Sequence, residues 1–143
     1  MMRVFIPFDV PSFKNSKIAT KKGLFMSKTC RKYLQKLGVK KFSSSKRTFQ
    51  NYATRPNLFN IAVRPLRKEL KDKPLPHIIG THFVRGSHRK FDINNMQQII
   101  FDLLTAHQVI PDDNADCLIP VSFQISGRWY SYDKDNPGVW IQL

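Results

Sequence analysis

R-K-F-D-I-N-N-M-Q-Q-I-I-F-D-L-L-T-A-H-Q-V-I-P-D-D-N-A-D, Arg89 to Asp116, is the stretch whose reading decides the fold. Within it Met96, Ile99, Ile100, Leu103 and Leu104 recur at i, i+3, i+4, i+7 and i+8, the spacing of one buried helix face. Asp92 stands just before that helix, where a carboxylate can accept from the free N–H groups of the first turn. Asn95, Gln98 and Asp102 fall on another face. Pro111 then marks a turn over 109–113.

Working outward, Ile78 to Val84 reads as a strand entering the helix, and Leu118 to Ile125 and Val139 to Leu143 as late strands. At the other end Val4, Ile6 and Phe8 alternate with Arg3, Phe5 and Pro7, an opening strand placed at a sheet edge by its proline. Lys21-Lys22-Gly23 has the composition of a hairpin tip. Ser27 is a plausible N-cap for a helix reaching about Leu37, with Cys30, Tyr33, Leu34 and Leu37 on one face and Gly38 as its stop. Pro56 opens a second helix to Leu70, with Leu58, Ile61, Ala62 and Leu66 inward and Pro65 kinking or splitting it. Residues 38–57 mix basic and aromatic residues without a period. The expectation is a single α+β domain over 1–143, a mixed β-sheet packed against two or three helices, with 38–70 a basic, insertion-like segment.

Composition fits a folded chain of 143 residues, 41% hydrophobic and 12% aromatic. No apolar run approaches the ~20 residues of a membrane span, and M-M-R-V-F-I-P-F-D lacks signal-peptide organisation. Cys30 and Cys117 lack metal-ligand spacing, as expected of reduced thiols in a cytoplasmic protein.

Charge is unevenly placed. The net charge is +14, yet residues 1–75 carry 19 Lys+Arg against Asp9, Glu69 and Asp72, while 76–143 carry 5 Lys+Arg against 7 Asp. The basic half is the footprint of phosphate binding; no long basic amphipathic helix points to a membrane surface. Five of the ten acidic residues fall between Asp92 and Asp116. Packed carboxylates repel, and a hard divalent cation such as Mg2+ is a common reason for gathering them. Asp112, Asp113 and Asp116 can return to Asp92 if the next strand runs back along the helix. D-D-x-x-D alone is a weak signal, and Gln98 with Asp102 is more often just a solvated helix face. Arg85, His88, Arg89 and Lys90, directly before Asp92, are what a scissile phosphate needs. His77, His82, His88 and His107 show no zinc pattern.

These residues resemble the RusA-type Holliday junction resolvases, more closely the phage-borne members. R-K-F-D-I-N-N-M-Q-Q-I-I-F-D-L-L…V-I-P-D-D is similar to the family's basic-basic-x-D-x-D-N motif, its helix and its D-D pair. I-P-F-D-V-P-S-F-K-N-S resembles its opening strand and P-S-x-x-N loop, and M-S-K-T-C-R-K-Y the segment leading into its first helix. The resemblance covers roughly 3–37 and 76–125. It implies a homodimeric, metal-dependent endodeoxyribonuclease of DNA recombination and repair, resolving four-way junctions in a bacterial or phage-infected cell. It places the catalytic set on Asp92, Asn94, Asp112 and Asp113, and Mg2+ (or Mn2+) on Asp92 and Asp113 with Asp116 and Asn95 in support. Lys14, Lys17, Lys21, Lys22, Arg85, Arg89 and Lys90 are the expected DNA contacts. The sequence departs from the family twice: Asn94 stands where its second aspartate falls, and Gln98 where its helix lysine falls. Two rivals carry different partners: a catalytically silent binder of branched DNA on the same fold, which Asn94 favours, and a basic RNA-binding module.

Overall fold

A computed structural model of the chain describes residues 2–12, 17–20, 23–26, 28–39 and 56–143. In chain order its elements are β1 (Arg3–Pro7), β2 (Lys17–Thr20), β3 (Gly23–Met26), α1 (Lys28–Lys36), α2 (Leu58–Leu70), β4 (His77–Arg85), α3 (Ile93–Ala106), β5 (Leu118–Ser122), β6 (Ser131–Tyr132) and β7 (Gly138–Gln142). They form an α+β domain with a mixed sheet, ordered β1-β7-β4-β5, with β6 also paired to β4. β1 and β4 both run antiparallel to β7, whereas β5 and β6 run parallel to β4. Parallel pairing needs a long crossover, and α3 supplies it between β4 and β5.

β4 is buried at every position but Ile78, as a central strand covered on both faces should be. Pairing register puts Ile79, Thr81 and Phe83 of β4 on one face with Val139 and Ile141 of β7 and Val4 and Ile6 of β1. That face meets the helices in the core. The other face has Trp140 beside Phe5, ring centroids 4.9 Å apart, and Phe123 over Gly80, where a Cβ would sit 2.9 Å from the ring.

The expected faces of α1 and α3 are the buried ones. Gly38, at φ +76°, closes α1: Gly38 N donates to Gln35 O and Val39 N to Leu34 O. β1 lies at an edge, as its proline required. Thr20 pairs with Gly23 where β2 and β3 run antiparallel; the hairpin tip expected at Lys21-Lys22 and the cap expected at Ser27 lie outside the described residues.

Several expectations are corrected. α2 buries Phe59, Val63, Leu66 and Leu70, while Leu58 and Ile61 are exposed. Its N-cap is Asn57, whose side chain accepts from Asn60 N, and the helix runs through Pro65 unbroken. Of the segment expected to be insertion-like, residues 58–70 deliver side chains to the centre of the core, and residues 40–55 lie outside the described residues. β5 ends at Ser122, not Ile125; the chain turns at Ile125–Arg128 and returns as β6, a strand too short to leave a period.

Candidate nucleic-acid interface and acidic cluster

Asp92 adopts extended backbone (φ −117°, ψ 116°) and caps α3, its Oδ1 accepting from Asn94 N at 2.9 Å. Asn94 beside it is exposed and Asn95 half-buried. Further along α3, Gln98 Nε2 donates both to Asp102 Oδ1 (2.9 Å) and to Asp113 Oδ2 (3.1 Å). The turn through Pro111 thus brings Asp113 back onto the helix. Asp112 Oδ1 accepts from Asp113 N at 2.8 Å, which fixes the turn. Asp116 N donates to Asn114 Oδ1 at 3.0 Å, part of the turn leading into β5.

This arrangement differs from the expected one. The loop closes on Gln98, six residues beyond the cap, roughly 9 Å along the axis. Among the described residues no group of three or more His, Cys, Asp or Glu is placed to hold a metal ion. Asp92, Asp113 and Asp116 are thus not assembled as a three-carboxylate centre. What is assembled is a pair, Asp102 and Asp113, sharing one amide. Mg2+ needs only one or two carboxylates, completing its shell with waters and substrate phosphates, and hard oxygen donors of this kind suit Mg2+ or Mn2+.

The basic residues before Asp92 divide. His88, Arg89 and Lys90 are exposed on the connection from β4 to α3. Arg85 is 6% exposed. Its Nη1 donates to Val10 O (3.2 Å), lies 3.5 Å from Asp9 Oδ1, and its guanidinium sits over the Phe91 ring at 4.7 Å. It is a structural cation rather than an open surface contact, because β4 points it at the helix side. Lys14, Lys21 and Lys22 lie outside the described residues, as does the side chain of Lys17 in β2.

Sequence reasoning missed the aromatic partners of this connection. His88 stacks on Tyr132 with centroids 3.8 Å apart, and Phe91 meets the Tyr130 ring edge-on at 4.8 Å. Trp129, Tyr130 and Tyr132 are about half exposed. Exposed W-Y-S-Y was the available signal, though its partners lie some forty residues away in sequence. Exposed aromatics beside cations suit stacking of nucleobases over a held backbone. A larger cavity, about 910 Å3, opens between α2 and the turn after α3, lined by Arg64, Arg67, Lys68 and Pro111 among others.

His82 and His107 are buried and serve the fold. His82 bridges Phe123 O and Ser131 Oγ. Burial pushes the Cys30 thiol up to about 11, with Asp102 adding to the shift, so it is no nucleophile at neutral pH. Among the described residues no helix is long and apolar enough to cross a membrane. Comparison with protein-family models, with curated proteins and with solved structures finds no match to this chain.

Proposed function

We propose that this chain is a metal-dependent endonuclease acting on four-way or otherwise branched DNA. The observation that carries the reading is the Gln98 bridge, which ties Asp113, on the turn after α3, to Asp102 of that helix, the helix that Asp92 caps. A basic chain gains nothing in DNA affinity from such a pair, whereas a phosphodiesterase needs one. In this reading the Asp102–Asp113 pair would hold Mg2+ or Mn2+, with Asp112 next to it, and Asp92, Asn94 and Asn95 would meet the substrate at the start of α3. A bound ion at this pair would supply a nucleophilic water and charge stabilisation at the leaving oxygen. Gln98 keeps Asp113 oriented, while Arg89 and Lys90 neutralise the phosphate that approaches Asp92. The chain works as a homodimer in the cytoplasm of a bacterial or phage-infected cell, because paired cuts in a two-fold junction call for two sites. The sheet face that carries no helix among the described residues, with Ile78, Ile119 and Val121 exposed, supports an interface.

The test is a labelled four-way junction incubated with the protein, with Mg2+ and with EDTA. Symmetric nicks that require the metal support the reading; an intact junction under both conditions removes it. A second reading, a silent binder of branched DNA, is favoured by the missing third carboxylate and by Asn94. It expects tight junction binding with no cleavage in the same assay.

A further inference from the structure

Two cavities of about 460 Å3 each flank the connection between β4 and α3, and Arg85, Ser87, Arg89 and Lys90 line both. The first is completed by His88, Phe91, Tyr130 and Tyr132. Its aromatic tier rests on a fixed cation. Arg85, tied to Asp9 and to the Val10 carbonyl, carries the Phe91 ring, and Phe91 carries the edge of Tyr130. Tyr130 and Tyr132 nevertheless stay 50% and 44% exposed. Among the described residues no carboxylate lines this cavity.

The second cavity adds Lys32, Lys36 and the hydroxyl-bearing Ser12 and Thr29, with Asp9 as its single acid. Five cations against one carboxylate make it a site for an anion. Among the described residues Tyr33 Oη and Arg85 Nε are buried without a hydrogen-bond partner, Asp9 Oδ1 has only its 3.5 Å ion pair with Arg85 Nη1, and all three residues line this cavity. Unmet hydrogen-bonding capacity gathered at one place marks a ligand site better than a packing defect would.

We propose that the two cavities together take one unpaired nucleotide, its base against Tyr130 and Tyr132 and its phosphate among Lys32, Lys36 and Lys90. The inference rests on reading the chain as a DNA-binding protein. It adds that the strand beside Asp92 is unpaired, since a base inside a duplex cannot offer its face to an aromatic side chain.

Fluorescence anisotropy tests it with a short oligo(dT), an abasic oligomer of the same length, and a four-way junction. Oligo(dT) is expected to bind at least about fivefold tighter than the abasic strand, the low end of one base–aromatic stack. Tyr130→Ala with Tyr132→Ala should abolish that ratio, and Phe at both positions should keep it. Lys32→Ala with Lys36→Ala should weaken both oligomers alike and make the salt dependence shallower. If the alanine variants fail to fold, the wild-type ratio still decides. Equal affinity of the wild type for the two oligomers, with the junction still bound, overturns this inference alone. No binding to any of the three overturns the DNA-binding reading with it.

Discussion

Gln98 Nε2 donates to Asp113 Oδ2 at 3.1 Å across fifteen residues of sequence. The same nitrogen donates to Asp102 at 2.9 Å. An amide brings no charge, so it orients the two carboxylates without neutralising them, which a lysine at this position would do. Cation affinity is retained where the pair meets solvent.

The first prediction follows. Asp113→Asn should lower metal-dependent cleavage by more than about a hundredfold, by analogy with the upper cost of disturbing metal-site partners. Junction binding should persist or tighten, because a negative charge is removed near phosphates. Gel-shift and cleavage assays on one preparation check both halves. Cleavage at the wild-type rate would take Asp113 out of the site.

Asn94 gives a second test. It lies exposed in the first turn of α3, beside Asp92, while Asp116 belongs to the turn before β5 and joins no metal-holding group. Asn94→Asp should therefore raise the Mg2+-dependent rate, and Asp116→Asn should change it little. A carboxylate in the first turn also favours the helix dipole by about 0.3–1 kcal/mol, reduced here by repulsion from Asp92. Thermal denaturation thus separates a stability effect from a catalytic one. A large loss of rate on Asp116→Asn would restore that residue to the centre.

The elements legible in the sequence were those whose period and cap agree. In α3 the apolar stripe, the preceding Asp92 and the following turn point the same way, and α1 has its stripe and Gly38. α2 was found, with Leu66 inward as expected, but Leu58 and Ile61 face solvent. Its sequence offers two apolar stripes, one through Leu58, Ile61 and Ala62 and one through Phe59, Val63 and Leu70. Packing against the sheet, which no local pattern encodes, chose the second. In the site, Asp92 was legible as a cap because a cap is local. The Gln98 bridge was not, because it depends on how far the turn after α3 carries Asp113 back. Tyr130 and Tyr132 escaped for the same reason, since His88 and Phe91 become their neighbours only through the pairing of β6 with β4.

Salt dependence tests the exposed cations. Arg89→Ala and Lys90→Ala should each weaken junction binding and reduce the slope of log affinity against log salt by about 0.9, one phosphate contact's share on B-DNA. The corresponding change at Arg85 should act through the fold instead. Its side chain is buried against Asp9, Val10 and Phe91, and removing it leaves Asp9 without its partner. Arg85→Ala should lower the melting temperature markedly, whereas the Arg89 and Lys90 variants should melt like the wild type. An Arg85 variant of unchanged stability but shallower salt slope would make it an ordinary surface contact.

His107 supplies a pH dependence. The ring is fully buried at the end of α3, with Nδ1 2.7 Å from Leu103 O and Nε2 3.1 Å from Asn57 Nδ2. Those partners require the neutral tautomer, with Nδ1 donating and Nε2 accepting. Burial lowers the pKa to about 4; the Leu103 carbonyl pulls it upward, and Arg67, which donates to the His107 carbonyl through Nε and Nη2, pushes it down. The unfolded chain therefore takes up this proton near the ordinary value of 6.5 while the folded chain refuses it until about pH 4. Its contribution is complete above the unfolded value, declines as pH falls between the two, and stops changing below the lower one. The gap corresponds to about 3 kcal/mol. His77, lowered by burial, acts in the same direction. Urea unfolding across that window should show the loss, and Asn57→Ala should add about 1–2 kcal/mol of destabilisation at neutral pH by removing the α2 cap. That variant should also lose less on acidification, because Nε2 no longer has a donor to surrender when it is protonated. A wild-type stability that stays level between about pH 7 and pH 5 would mean that His107 titrates alike in both states, and the buried contact with Asn57 would not form in solution.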